Sequence, residues 1–138
     1  MIEKIFIDTN IFIYAYTRDD EHKNKISCDL LRKNVMRENI VISTQVINEF
    51  YSVMAKYKYS HKQIKSYLVE IVAQVEVSSL NLRTIESCLL IKEKYDYSWW
   101  DSLILTSALE NDCQTIYSED MQYGQVIENT LEIVNPFI

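Results

Sequence analysis

The chain opens with KIFIDTNIFIYAY, residues 4–16. An apolar run climbs to Asp8, crosses Thr9 and Asn10, and turns apolar again at once. A buried carboxylate without a partner is costly, so Asp8 needs a helix cap, a hydrogen-bond network or a cation. The segment EKIFID, 3–8, has the short continuous hydrophobicity of a strand covered on both faces. IVIS at 40–43 and TIYS at 115–118 share that character, and TLEIV at 130–134 and VEVS at 75–78 are weaker candidates.

Helical patterns lie between these strands. Ile64, Tyr67, Leu68, Ile71, Val72 and Val75 repeat at three and four, as do Val46, Ile47, Phe50, Val53, Met54 and Tyr57. Leu82, Ile85 and Leu89 form the apolar stripe of a third helix, a fourth runs from about 99 to 112, and a fifth covers 22–38. A shorter helix starts near Ile11. Short apolar strands alternating with helices define an α/β domain with a mainly parallel sheet, expected as one unit over 1–138. In such sheets ligands bind outside the carboxyl ends of the strands.

Composition removes several function classes. The 138 residues include one glycine, Gly124, and one proline, Pro136. A phosphate-cradling loop or dinucleotide fingerprint needs several glycines, so neither exists here. The formal net charge of −6 argues against coating nucleic acid through bulk charge. Cys28, Cys88 and Cys113 have no paired spacing, and the histidines are only His22 and His61, so a disulfide framework or zinc site is not expected. No apolar run approaches the roughly 18 residues of a membrane span, and the N-terminal run lacks the features of a secretory signal. A cytoplasmic protein that does not enter membranes is expected.

Acidic residues then fall at one edge. Asp8 ends the first strand, and Ser118, Glu119 and Asp120 follow TIYS. Glu49 lies in the first two turns of the helix after IVIS, and Asp101 in the first turn of the helix opening at SWWDSLIL. Each has an ordinary reading: a cap from Asp8 or Asn10, a capping box at Ser98–Asp101, a solvated Glu49, turn residues at Glu119 and Asp120. Those readings do not explain why all four segments meet one sheet edge. Two carboxylates 4 Å apart repel by about 4 kcal/mol at an effective dielectric of 20. Convergence therefore demands either raised pKa values or divalent cations. Carboxylate and water ligands suit Mg²⁺ or Mn²⁺, the machinery for attack on a phosphodiester.

Four motifs, IFIDTNIFI (5–13), NEF (48–50), WWDSLI (99–104) and SEDM (118–121), resemble in order and spacing those of the PIN domain family. Within it the chain looks most like VapC-type toxin ribonucleases of toxin–antitoxin pairs. The resemblance covers essentially the whole chain. It implies a three-layer α/β/α sandwich, Mg²⁺ or Mn²⁺ dependence, and endonucleolytic cleavage of RNA to 5′-phosphate and 3′-hydroxyl ends. By the same resemblance Asp8, Glu49, Asp101 and Asp120 hold metal, with Glu119 a substitute for Asp120. Asn10 and Ser118 orient those ligands. A homodimer and a cognate antitoxin are also implied.

Lys56, Lys58, Lys62 and Lys65, interleaved with Tyr57 and Tyr59 in AKYKYSHKQIK (55–65), form a candidate grip on RNA. Arg18, with Lys23 and Lys25, forms a second candidate rim. Trp99 and Trp100 are expected in core packing or self-association. Two other functions compete. An aspartyl-phosphate enzyme would use Asp8 as nucleophile, but such folds carry a second Asp where this chain has Asn10. A catalytically degenerate PIN-like scaffold would bind RNA or protein without cutting.

Overall fold

The structure, a computed structural model, describes residues 2–138. Its elements are β1 (Ile5–Ile7), α1 (Thr9–Tyr16), α2 (Glu21–Arg37), β2 (Ile40–Ser43), α3 (Thr44–Lys56) and α4 (His61–Gln74). They continue with β3 (Glu76–Ser78), α5 (Leu82–Tyr95), α6 (Trp99–Glu110), β4 (Thr115–Tyr117), β5 (Val126–Ile127) and β6 (Leu131–Val134). Among the described residues six strands form one sheet in the order β3-β2-β1-β4-β6-β5. Every neighbouring pair is parallel except β5, which runs antiparallel to β6. The six helices pack around this mainly parallel sheet, the α/β architecture expected from the strand–helix alternation.

Residues of β1 and β2 are buried throughout, which is why they read as unbroken apolar runs. In β1, Ile5 pairs with Ile40 of β2 on one side, and Ile7 with Tyr117 of β4 on the other. The core around them includes Phe6, Ile11, Ile42, Phe50, Met54, Leu105 and Ile116. Helix α6 is buried continuously from Ser102 to Ala108, so its sequence is apolar or small on every side. The hydroxyl of Thr106 is satisfied inside the helix, donating to the Ser102 carbonyl at 2.7 Å.

Several expectations change. Helix α1 starts at Thr9, not near Ile11, because Asp8 itself is the cap. Asn10 lies inside the first turn and caps nothing. The two-residue strand β5 carries no alternation long enough to read from sequence. In α5 the buried face is Thr84, Cys88 and Ile91, while Leu82, Ile85 and Leu89 point outward. The reason is polar: Thr84 Oγ1 donates to Glu110 Oε2 of α6 at 2.8 Å, so a satisfied hydroxyl takes the inside position. An apolar stripe is left on the surface, Leu82 being 71% exposed. Cys88 and Cys113 are buried, Cys28 is half-buried, and all three are free thiols. Among the described residues no helix is long and apolar enough to cross a membrane.

Leu105 is fully buried, whereas Leu90 is 68% exposed. Leu105→Ala is expected to cost about 2–5 kcal/mol of stability. Leu90→Ala should stay within about 0.5 kcal/mol. Urea unfolding of the two variants checks the contrast.

Candidate active site

Parallel strands β1, β2 and β4 end on the same edge, and each is followed by a residue or helix that carries polar groups there. Asp8 leaves β1 with extended backbone and caps α1, its Oδ1 accepting the Thr9 N–H at 2.7 Å. Its Oδ2 accepts the Ser118 hydroxyl at 2.8 Å. The side chain is therefore a helix cap and a buried acid at once, only 8% exposed. Burial pushes the Asp8 carboxyl up to about 7; the bonds from Ser118 and Thr9 oppose this, and the charges of Glu49 and Asp101 add to it.

Ser43 ends β2, and α3 starts at once, which puts Glu49 one turn and a half into the helix. Glu49 Oε1 accepts the Thr9 hydroxyl at 2.8 Å, and Oε2 accepts Gln45 Nε2 at 3.4 Å. Gln45 also donates to the Trp100 carbonyl at 3.0 Å, tying α3 to the start of α6. There Ser98 caps α6 by accepting the Asp101 N–H at 3.1 Å, one arm of the expected capping box. Burial raises the Asp101 pKa, followed by the charge of Asp120. After β4, the Asp120 N–H donates to Ser118 Oγ at 3.3 Å, so a single hydroxyl bridges Asp120 to Asp8. Asp120 Oδ2 accepts Asn10 Nδ2 at 2.8 Å. Its pKa too is raised, by burial first and then by Glu119.

These side chains line one cleft of about 550 Å³. Asp8, Glu49, Asp101 and Asp120 share it with Thr9 and Asn10, and no Lys, Arg or His is among its lining residues. Glu119 is not part of it. That residue turns away onto Lys23, with Nζ to Oε2 at 2.8 Å, and onto the Tyr14 hydroxyl. Lys56, Lys58, Lys62 and Lys65 are exposed at the α3–α4 corner, outside the lining. Arg18 lies in a separate groove with Tyr16 and Arg32. Trp100 is not core: it is 62% exposed and lines the cleft.

Thr9 and Gln45 also line the cleft, and neither is among the site residues expected from the sequence. Both had a signal, Thr9 as the middle of Asp-Thr-Asn and Gln45 as the residue one helical turn before Glu49. Leu80 also lines the cleft, from the segment after β3, and nothing in its sequence marked it.

Four hard-oxygen carboxylates without a cation in the lining, one of them buried with its pKa near 7, match the donor chemistry of Mg²⁺ or Mn²⁺. Among the described residues no three Asp, Glu, His or Cys side chains are already drawn into a closed metal cage. Mg²⁺ retains several waters and takes only one or two direct carboxylates, so an open ring of acids suits it. Asp8, Glu49, Asp101 and Asp120 are the residues that could hold such an ion.

The PIN domain family profile matches residues 5–128, and the chain belongs to that family. Its structural neighbours are VapC toxins and their complexes. The VapC20 toxin of Mycobacterium tuberculosis, which cleaves the sarcin–ricin loop, is 16% identical and superposes with a TM-score of 0.65 over 85% of this chain and 90% of its own. VapBC2 of Rickettsia felis, bound to a promoter DNA fragment, is 17% identical with a TM-score of 0.70 over 95% and 98%. A toxin–antitoxin complex from Klebsiella pneumoniae is 14% identical with a TM-score of 0.69 over 96% and 98%. No curated protein sequence matches the chain.

The Asp8 shift has a sign in stability. Its folded pKa of about 7 lies above the ~3.9 of an unfolded Asp, so between those values the folded chain keeps a proton that the unfolded chain releases. The Asp8 contribution is fully present below about pH 4 and is lost as pH rises through about 7. In EDTA, Asp8→Asn is expected to flatten this decline and to gain stability over the parent at pH 8. Urea unfolding of both proteins between about pH 4.5 and 8 tests it.

Proposed function

We propose that this protein is a Mg²⁺- or Mn²⁺-dependent endoribonuclease, acting in the cytoplasm as the toxin of a type II toxin–antitoxin pair. The observation that carries the reading is the convergence of Asp8, Glu49, Asp101 and Asp120 on one cleft without a cation among its lining residues. Membership of the PIN family and the VapC-like fold support it. Asp8, Asp101 and Glu49 would hold the principal ion, with Asp120 toward an outer one. When bound, the ion supplies Lewis acidity toward water and the phosphodiester. Ser118 keeps the Asp8 and Asp120 segments in fixed relation, and Thr9 orients Glu49. The two toxin–antitoxin complexes among the structural neighbours support a cognate antitoxin as partner.

Cleavage of a mixed RNA and tRNA pool in Mg²⁺, Mn²⁺ or EDTA tests the activity, with Asp101→Asn purified in parallel. Metal-dependent cutting is expected to fall by at least about a hundredfold in the variant. Equal cutting by both proteins would remove Asp101 from the machinery. No cutting, together with no Mn²⁺ binding, would leave a degenerate scaffold.

We also propose a homodimer that uses the outward stripe of α5, Leu82, Ile85 and Leu89. Leu89→Glu should shift the protein to monomer in sedimentation velocity without loss of helical circular dichroism.

A further inference from the structure

Five carboxylates, not four, stand near the ends of these strands, and one is neutralised from outside the cleft. Glu119 Oε2 accepts Lys23 Nζ at 2.8 Å, and Oε1 accepts the Tyr14 hydroxyl and, at 3.5 Å, Asn10 Nδ2. The ammonium also sits 4.9 Å from the Tyr14 ring centroid and 5.3 Å from that of Phe137. Tyr14 and Phe137 meet edge to face, so aromatic walls from α1 and the C-terminal segment hold the cation. At its other end Lys23 is fixed by the α2 cap, its N–H donating to Asp20 Oδ1 at 3.0 Å. The pair is sheltered, with side-chain exposures of 31% for Lys23 and 15% for Glu119. Lys23 is therefore committed to Glu119 and is not a rim residue waiting for phosphate.

Glu119 and Asp120 are chain neighbours, and Asn10 divides its amide between them. The bond to Asp120 is the short one, at 2.8 Å against 3.5 Å to Glu119. Lys23 and Tyr14 already satisfy Glu119, whereas Asn10 is the amide that reaches Asp120. We infer that Lys23 is a positioning residue: it withdraws Glu119 from the metal-holding set and fixes at four the carboxylates that face the cleft. This rests on the proposed metal site and deepens it, since it names what sets the charge of that site. Without Lys23, an uncompensated Glu119 becomes available beside Asp120 as a further oxygen donor. A divalent cation is then held more tightly by the added negative charge.

The test is Mn²⁺ titration by calorimetry, with bound Mn²⁺ counted by electron paramagnetic resonance. It uses the full chain as parent, Lys23→Arg, Lys23→Met and the double variant Lys23→Met/Glu119→Gln. Lys23→Met is expected to bind Mn²⁺ about tenfold more tightly. Lys23→Arg, which keeps the ion pair, should match the parent, and the double variant, which removes both charges, should return to it. Unchanged affinity in Lys23→Met overturns the inference, as does tightening that persists in the double variant. Weaker binding in the double variant than in the parent also overturns it, because Glu119 would then be a ligand itself. Thermal unfolding in EDTA controls for folding. Should Lys23→Met not fold, Lys23→Gln, which removes the charge but keeps a polar side chain, takes its place on the same criteria. A parent that binds no Mn²⁺ sinks the metal reading and this inference together, whereas a parent that binds while the variants fail the ranking sinks the inference alone.

Discussion

The carboxylate of Asp8, enclosed at the end of the central strand, is the constraint around which the rest of the molecule is arranged. Burial disfavours its charge, and no lysine or arginine is among the residues that line its cleft. The protein answers instead with dipoles: the first N–H of α1 and the hydroxyl of Ser118. Those two donors fix where α1 can begin and where the chain must pass after β4. The sheet order follows the same logic. With β1 between β2 and β4, the segments after all three strands can reach one point.

Two linked chains of hydrogen bonds then carry the geometry outward. One runs from Asp120 through Ser118 to Asp8, the other from Trp100 through Gln45 and Glu49 to Thr9. They meet in the consecutive residues Asp8 and Thr9. Acids from four segments are thus gathered at a common edge among neutral groups, with no side-chain cation lining their cleft. That is the electrostatic condition a hard cation resolves and a salt bridge would have removed.

Much of the fold was legible in the sequence, and the reasons for the exceptions are physical. Strands buried on both faces must be apolar at every position, so IFI and IVIS announced themselves. The strand β5 is held by its turn and by pairing with β6, and two residues carry no period. Helix α5 misled because periodicity reports that a face is apolar, not that it is inside. Thr84 with its partner Glu110 took the interior instead. For the cleft, the acids that line it could be read because each stands just after a predicted strand or within the first two turns of a predicted helix. The division of labour between Glu119 and Asp120 could not, since it depends on Lys23, nearly a hundred residues away in the chain.

The pairing of β1 with β4 has a consequence for synthesis. Phe6 lies beside Ile116, so the centre of the sheet joins segments 110 residues apart in the chain. A growing chain that stops short of residue 115 offers β1 only one of its two neighbours, and Asp8 has neither Ser118 nor Asp120 within its reach. Contacts so distant in sequence are late to form, because closing the long intervening loop costs entropy before it gains contacts. The acidic edge is therefore among the last features to be completed, and a fragment that ends before residue 115 lacks both Asp120 and the Ser118 bond to Asp8.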